Sequence, residues 1–264
     1  MRAYTPPPTN VYDRLPLRQR AAVLCLLFAD RNGDLRVVLT VRSALMRTFA
    51  GHVALPGGRA DFVEETPFET ARREAYEEIG LPLNDGAGGL PPAFRVEHLA
   101  ELPCSLARTS VGVRPCVAFL AAHAQADVEA SLVPRLGADE VAGIFTVPLE
   151  RFLHARYPAR GAEEELWYSG SWLTLKSGAR WRAHEFQAPV WEGATLRRYR
   201  VWGMTARIVV DLARIAYGRD PDFAHNGDFG DEAMVIDMLE QGTEPPRREN
   251  PPPSGEVEVE KGNL

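Results

Sequence analysis

"GRADFVEETPFETARREAYEEIGL", residues 58–81, holds a helix whose two ends are both written in the chain. Thr66 is a good N-cap, Pro67 suits the first turn, and Glu69, three residues after Thr66, completes a capping box. Gly80 can close the other end in a left-handed conformation, and Pro82 prevents continuation. A helix is expected over 67–79, with Phe68, Ala71, Ala75 and Ile79 as its core-facing stripe. Glu74, Glu77 and Glu78 fall within roughly a 100° arc on another side. Like charges three or four residues apart repel. On spacing alone, a solvated acidic face accounts for them. Two features point elsewhere. The cluster lies in the C-terminal half of the helix, where the macrodipole disfavours negative charge. The preceding Pro56-Gly57-Gly58 loop can let its backbone approach a ligand closely. A hard divalent cation, magnesium or manganese, takes a few carboxylates plus substrate oxygens and water, and would turn the repulsion into attraction.

Working outward, "AAVLCLLFADRNGDLRVVLTVRS" (21–43) reads as two apolar strands joined by a turn at Asn32-Gly33. Residues 94–102, 113–121 and 143–149 have strand character, and "WYSGSWLTLKSGARWRAHEF" (167–186) reads as a hairpin turning at Ser177-Gly178. A second long helix is expected over 203–217, ended by Gly218. The pattern describes one mixed α/β domain at 19–240, with an aromatic-rich insert at about 157–200. A Pro-rich irregular segment, 1–18, precedes it, and a Pro- and Glu-rich tail, 241–264, has almost nothing to bury and is expected to be disordered.

The composition narrows the function. The 264 residues are 45% hydrophobic and 25% charged, ordinary for a globule with a sizeable core. A net charge of −6 argues against a nucleic-acid coat, although not against a local basic pocket. Cys25, Cys104 and Cys116 are widely spaced, which speaks against structural zinc and disulfides and fits a reducing intracellular setting. No run approaches the roughly 18 apolar residues of a membrane span, so no membrane partner is expected. No secretory signal is evident, and Gly262-Asn263-Leu264 is not a Ser-Lys-Leu peroxisomal address. Oligomeric state is not readable.

The 58–81 segment resembles the Nudix box, G-x5-E-x7-R-E-U-x-E-E-x-G-U, with U bulky and apolar. Glu65, Arg73-Glu74, Glu77-Glu78 and Gly80-Leu81 keep its spacing. Six residues rather than five separate Gly58 from Glu65, and Ala75 stands where a larger apolar residue is usual. The upstream "LTVRSALMRTFAGHVALPGG" (39–58) is similar to the signature of the coenzyme A diphosphatase branch through Arg42, Ser43, Arg47, Gly51, Val53 and Pro56-Gly57-Gly58. Met46, Phe49 and Leu55 depart from it. "LPGGRAD" and "RREAYEEIGLP" resemble fungal peroxisomal members of the branch. "TSVGVRP", "DEVAGIFTVPLERFL" and "VWGMTARIVVDLA" fit it at corresponding places.

The resemblance implies a Nudix fold, an α/β/α sandwich around a mixed sheet. It implies an enzyme, a metal-dependent pyrophosphohydrolase, that splits coenzyme A or its derivatives into 3′,5′-ADP and 4′-phosphopantetheine. The cofactor would be Mg2+ or Mn2+ and the partner a small nucleotide. By position in the motif, Glu74 and Glu78 are the principal metal ligands, Glu77 is a further or water-mediated one, and a carbonyl of Gly57 or Gly58 completes the shell. Glu65 and Arg73 would brace the loop through an ion pair. Glu140, in a distal loop, is either the general base or a solvated carboxylate. Arg42 and Arg47, with Gly58, would bind substrate phosphates, although either arginine also reads as a surface charge. His52 reads as a strand residue facing water. Trp167, Trp172, Trp181 and Trp191 read as core, with base stacking or a pantetheine groove as the alternative. A Nudix enzyme for ADP-ribose or an oxidised nucleoside triphosphate is the nearest rival. A binding-only Nudix module would be expected to lose box carboxylates, and all three are present. The peroxisome is the compartment the resemblance suggests, with the cytosol as the other option.

Overall fold

The computed structural model describes residue 4 and residues 11–44, 49–83, 90, 94–122, 128, 141–157, 165–174, 178 and 180–241. A single helical turn, α1 (Val11–Arg14), leads into β1 (Arg20–Ala29) and β2 (Leu35–Arg42). The short strands β3 (Val53–Ala54) and β4 (Gly57–Arg59) come before helix α2 (Pro67–Ile79). Then follow β5 (Phe94–Glu101), β6 (Ser105–Leu106), β7 (Gly112–Ala122) and β8 (Val141–Pro148). Two short strands, β9 (Arg156–Tyr157) and β10 (Glu165–Leu166), pair with each other. The strands β11 (Tyr168–Thr174), β12 (Arg180–Glu192) and β13 (Thr195–Trp202) come before α3 (Gly203–Tyr217) and α4 (Glu232–Gln241).

An eight-stranded mixed sheet runs β3-β2-β1-β7-β5, with β4 on β1, β6 on β7 and β8 on β2. β1 and β7 pair in parallel, and the other pairs are antiparallel. The unbroken apolar run of β1 follows from burial on both faces. Ala22, Leu24, Leu26 and Phe28 meet Ala71, Ala75 and Ile79 of α2 on one side. Ala21, Val23, Cys25 and Leu27 join the core that holds Ile208, Val209 and Leu212 of α3 on the other. The result is the expected α/β/α sandwich.

One interruption in strand pairing positions the site. β2 pairs β1 only at Leu27–Ala29, and β4 takes over that edge at Ala21–Val23. The Pro56-Gly57-Gly58 loop is thereby seated beside β1. α2 is fixed by local chemistry: Glu69 N–H donates to Thr66 Oγ1 at 3.2 Å, Thr66 N–H donates to Glu69 Oε2 at 2.9 Å, and Gly80 adopts φ 66°.

Two elements depart from expectation, and so do two of the tryptophans. The 168–186 hairpin is real but belongs to a three-stranded antiparallel sheet, because β13 pairs along β12. Its inner residues Phe186, Ala188 and Val201 join the core beside α3. Within segment 1–18, the turn α1 buries Val11 and Tyr12 against Val235 and Met238 of α4. Tertiary docking, rather than propensity, orders that turn. The remainder of the expected tail, 242–264, lies outside the described residues. Of the tryptophans, Trp167 is core, Trp181 is buried, and Trp172 and Trp191 are exposed. The outer face of β11–β13 looks to solvent, and Arg180 and Arg182 lie over the Trp172 ring at 4.7 and 5.6 Å.

Candidate active site

Gly57 and Gly58 pair with Val23 and Ala22 of β1, and a Cβ at either position would meet atoms already in place. Gly57 has φ +152°, and a Cβ there would overlap the backbone of Ala22 and Val23. A Cβ on Gly58 would overlap all three atoms of the Glu74 carboxyl group. Glu78, one helical turn on, accepts the Gly57 N–H through Oε2 at 2.9 Å. Both carboxylates therefore abut the diglycine. Arg42, at the end of β2, sets Nη1 3.7 Å from Glu78 Oε1, and its buried Nε has no hydrogen-bond partner among the described residues.

Arg73 holds this arrangement from the side. Its Nε donates to Glu65 Oε1 at 2.8 Å, its Nη2 to the carbonyl of Arg59 at 2.8 Å, and its Nη1 to Glu74 Oε1 at 3.0 Å and Glu77 Oε2 at 3.3 Å. One guanidinium thus joins the loop after the diglycine to the acidic face of the helix. Burial disfavours the charged form of Glu65, yet hydrogen bonds from Arg73 and from the Asp61 N–H leave its carboxyl below the ordinary range. Glu74 goes the other way. Its side chain is 18% exposed, and burial raises its pKa against the pull of Arg73, with Glu77 adding to the rise. Glu77 is 51% exposed.

The donor chemistry fits a hard divalent ion: carboxylate oxygens on one helical face, facing a glycine backbone. Among the described residues, no three His, Cys, Asp or Glu side chains gather around one point. An ion held there by a pair of carboxylates would take the rest of its shell from substrate oxygens and water. A carboxylate that burial pushes toward neutrality, as at Glu74, is also one that a cation would restore to charge.

A cavity of about 350 Å³ borders Gly57, Gly58 and Arg42. Val53, Leu55, Leu106 and Val113 line it, together with Trp181, Trp202, Met204, Ile208 and Met234 from later in the chain. His52 is not a water-facing strand residue. It follows a turn, lines the cavity, and lies between Phe49 and Trp202 with ring centroids 5.5 and 5.2 Å away. Burial lowers its pKa, helped by Arg200 and Arg42. Arg200 in turn lies 4.9 Å over the Trp202 ring. Sequence reading missed His52, Trp202 and the methionines, because their meeting joins segments far apart in the chain. Of the expected site residues, Arg47 and Glu140 lie outside the described residues. Glu65, Arg73, Glu74, Glu77, Glu78, Gly57, Gly58 and Arg42 come together.

Comparison with known proteins gives the family. The NUDIX domain family matches residues 18–168. The chain is 30% identical over 267 residues to Peroxisomal coenzyme A diphosphatase 1 of Saccharomyces cerevisiae, covering 87% of this chain and 78% of that one. It is 35% identical over 207 residues to the mitochondrial Nudix hydrolase 15 of Arabidopsis thaliana, covering 78% and 61%. Against Peroxisomal coenzyme A diphosphatase NUDT7 of Mus musculus it is 31% identical over 210 residues, covering 80% and 75%. With that family match and those relatives, the chain belongs to the Nudix hydrolase family as a pyrophosphohydrolase.

Proposed function

We propose that the chain hydrolyses the pyrophosphate of coenzyme A and its thioesters, giving 3′,5′-ADP and 4′-phosphopantetheine or its acylated form. The observation that carries this reading is the contact of both Glu74 and Glu78 with the Gly57–Gly58 backbone, next to Arg42. The names of two relatives and the 39–58 segment support coenzyme A as the substrate.

In this reading Glu74 and Glu78 hold the ion, with Glu77 and a carbonyl of Gly57 or Gly58 as further donors. A magnesium or manganese ion bound there polarises phosphoryl oxygens and lowers the pKa of a water. Arg42 binds a substrate phosphate, a role its unpaired Nε favours. Arg47 and Glu140 remain the second phosphate contact and the general base we propose. Arg73 and Glu65 act as positioning residues. Water adds across one P–O bond of the anhydride, and its proton leaves with the base. The unit that does this is residues 19–240, and the peroxisome is the compartment we infer from the two diphosphatase relatives.

Mass spectrometry of products after incubation with coenzyme A, ADP-ribose and a nucleoside triphosphate, each with magnesium in ¹⁸O-labelled water, tests the reading. Labelled 3′,5′-ADP or labelled phosphopantetheine from coenzyme A supports it. Cleavage of ADP-ribose or the triphosphate with coenzyme A left intact overturns it.

A further inference from the structure

The cavity beside the diglycine has a lining that a nucleotide base would not use. A base is recognised by unengaged donors and acceptors along its edge, yet the polar groups deep in this wall already serve the protein. Asp231 accepts the Trp181 Nε1–H through Oδ1 at 2.9 Å and the Leu106 N–H through Oδ2 at 3.1 Å. Thr205 Oγ1 donates to the carbonyl of Val53 at 3.3 Å. Most of the remaining surface is apolar, from Leu55, Val113, Met204, Ile208 and Met234.

This wall is also built rather than incidental. Met234 lies in the first turn of α4, and the loop before that helix is clamped to α3 by polar contacts: Arg207 Nη2 donates to the carbonyl of Gly230 at 2.9 Å, and Gly230 N–H donates to Asp211 Oδ2 at 2.9 Å. α4 is further tied down where Arg114 Nη1 meets Glu232 Oε1 at 3.3 Å. This part of the wall therefore comes from residues beyond the matched 18–168 region. Methionine side chains in such a wall are unbranched and adapt to chains of different length.

We propose that this cavity receives the acyl-pantetheine arm of a coenzyme A thioester, and that Met204 and Met234 determine which acyl chains fit. The inference rests on the reading of the chain as a coenzyme A pyrophosphohydrolase. The arm leaves a diphosphate held at Gly57–Gly58 and Arg42 and enters an apolar space that begins at those residues. The arm's amides meet polar residues of the wall such as His52 and Thr109. Each seated methylene improves binding by roughly fourfold.

The test compares kcat/KM for octanoyl- and acetyl-coenzyme A in the full chain, in Met234→Trp and in Met204→Trp. Trp191→Ala, on an exposed residue outside the cavity, serves as control. Either tryptophan variant is expected to lower the octanoyl-to-acetyl ratio by at least about tenfold, the scale of a filled hydrophobic pocket, while the control keeps it. An unchanged ratio in both variants, with far-ultraviolet circular dichroism as in the parent, overturns the proposal. Calorimetry of the unaltered chain with S-octanoyl-pantetheine, which carries no nucleotide, gives a second readout. Binding at least about tenfold tighter than that of S-acetyl-pantetheine supports the proposal, and equal or undetectable binding of the two overturns it. If S-octanoyl-pantetheine binds but no coenzyme A thioester is cleaved, the hydrolase reading fails and the cavity assignment stands. If cleavage is the same for both thioesters and neither pantetheine binds, the cavity assignment alone fails.

Discussion

The carboxylate of Glu74 fills the space where a side chain on Gly58 would have to go. Gly58 thus does more than form a turn, because its missing Cβ is the seat of an acidic group. Gly58→Ala is expected to push Glu74 aside and leave the fold intact, since the clashing atoms lie at the end of a flexible side chain. Turnover should fall by about a hundredfold, the scale of a small misplacement at a reacting centre, with little change in Tm. Gly57→Ala should behave differently. Its Cβ meets the backbone of Ala22 and Val23 at a φ reserved for glycine, so stability should drop by about 1–3 kcal/mol. Steady-state kinetics and thermal melts on the two variants check the contrast.

Glu78→Gln keeps an oxygen to accept the Gly57 N–H but removes the negative charge. Under the proposed metal role, turnover should fall at least about a hundredfold, the cost of losing a principal electrostatic contributor, while the melting profile stays close to that of the parent. Magnesium binding followed by calorimetry should weaken in parallel. Near-normal turnover in Glu78→Gln would remove Glu78 from the ligand set.

The parts legible in the sequence were those fixed by neighbours in the chain. Thr66, Glu69 and Gly80 announced the ends of α2, and the structure gives 67–79. The 203–217 helix is likewise bounded as expected, by Gly218 in a left-handed conformation. The three glutamates could be placed on one face from spacing alone. The rest depended on partners distant in sequence. β13 alternates only over Arg198-Tyr199-Arg200-Val201, too short a run to announce a strand, and it exists because β12 pairs with it along its length. α4 lacks a capping box and is ordered by α1 and β6. His52 meets Trp202 only because β13 delivers Trp202 beside the turn at residues 49–51.

Asp211 sits at the centre of the clamp that holds the α4 loop, facing Arg207 at 3.1 Å and Arg214 at 3.4 Å and accepting the Gly230 N–H. Asp211→Ala would leave two buried guanidinium groups without that counter-charge. Breaking a buried pair from one side costs about 3–5 kcal/mol, so chemical denaturation should show a loss of that size. The same variant should also weaken S-octanoyl-pantetheine binding, because the loop leads directly into Asp231 and the first turn of α4, which bring Asp231 and Met234 to the cavity wall.

His184 supplies the pH dependence. It is buried in β12, where Nδ1 lies 3.2 Å from the Tyr168 hydroxyl, and Arg182 donates to that same hydroxyl. With two Arg182 N–H groups donating to its oxygen, the Tyr168 hydroxyl is left to donate a hydrogen bond to the neutral imidazole. Burial lowers the imidazole pKa to about 3, and Arg207, Arg182, His225 and Arg214 all push the same way. A folded-state pKa below the unfolded value of 6.5 means that the unfolded chain takes up a proton the native state refuses. The stability from neutral His184 is therefore full above pH 6.5 and is lost progressively as the pH falls toward 3. From pH 7.5 to pH 5 the loss should be about 2 kcal/mol, from roughly 1.5 pH units at 1.36 kcal/mol each. Asp211, whose pKa burial raises to about 6, acts in the opposite direction over part of this range, so a single stability curve mixes the two. The difference between the parent and His184→Phe cancels every other titration. Urea unfolding of both chains across this range should show the parent losing stability more steeply on acidification, by that amount. Parallel curves would mean that His184 takes a proton inside the fold as readily as outside it.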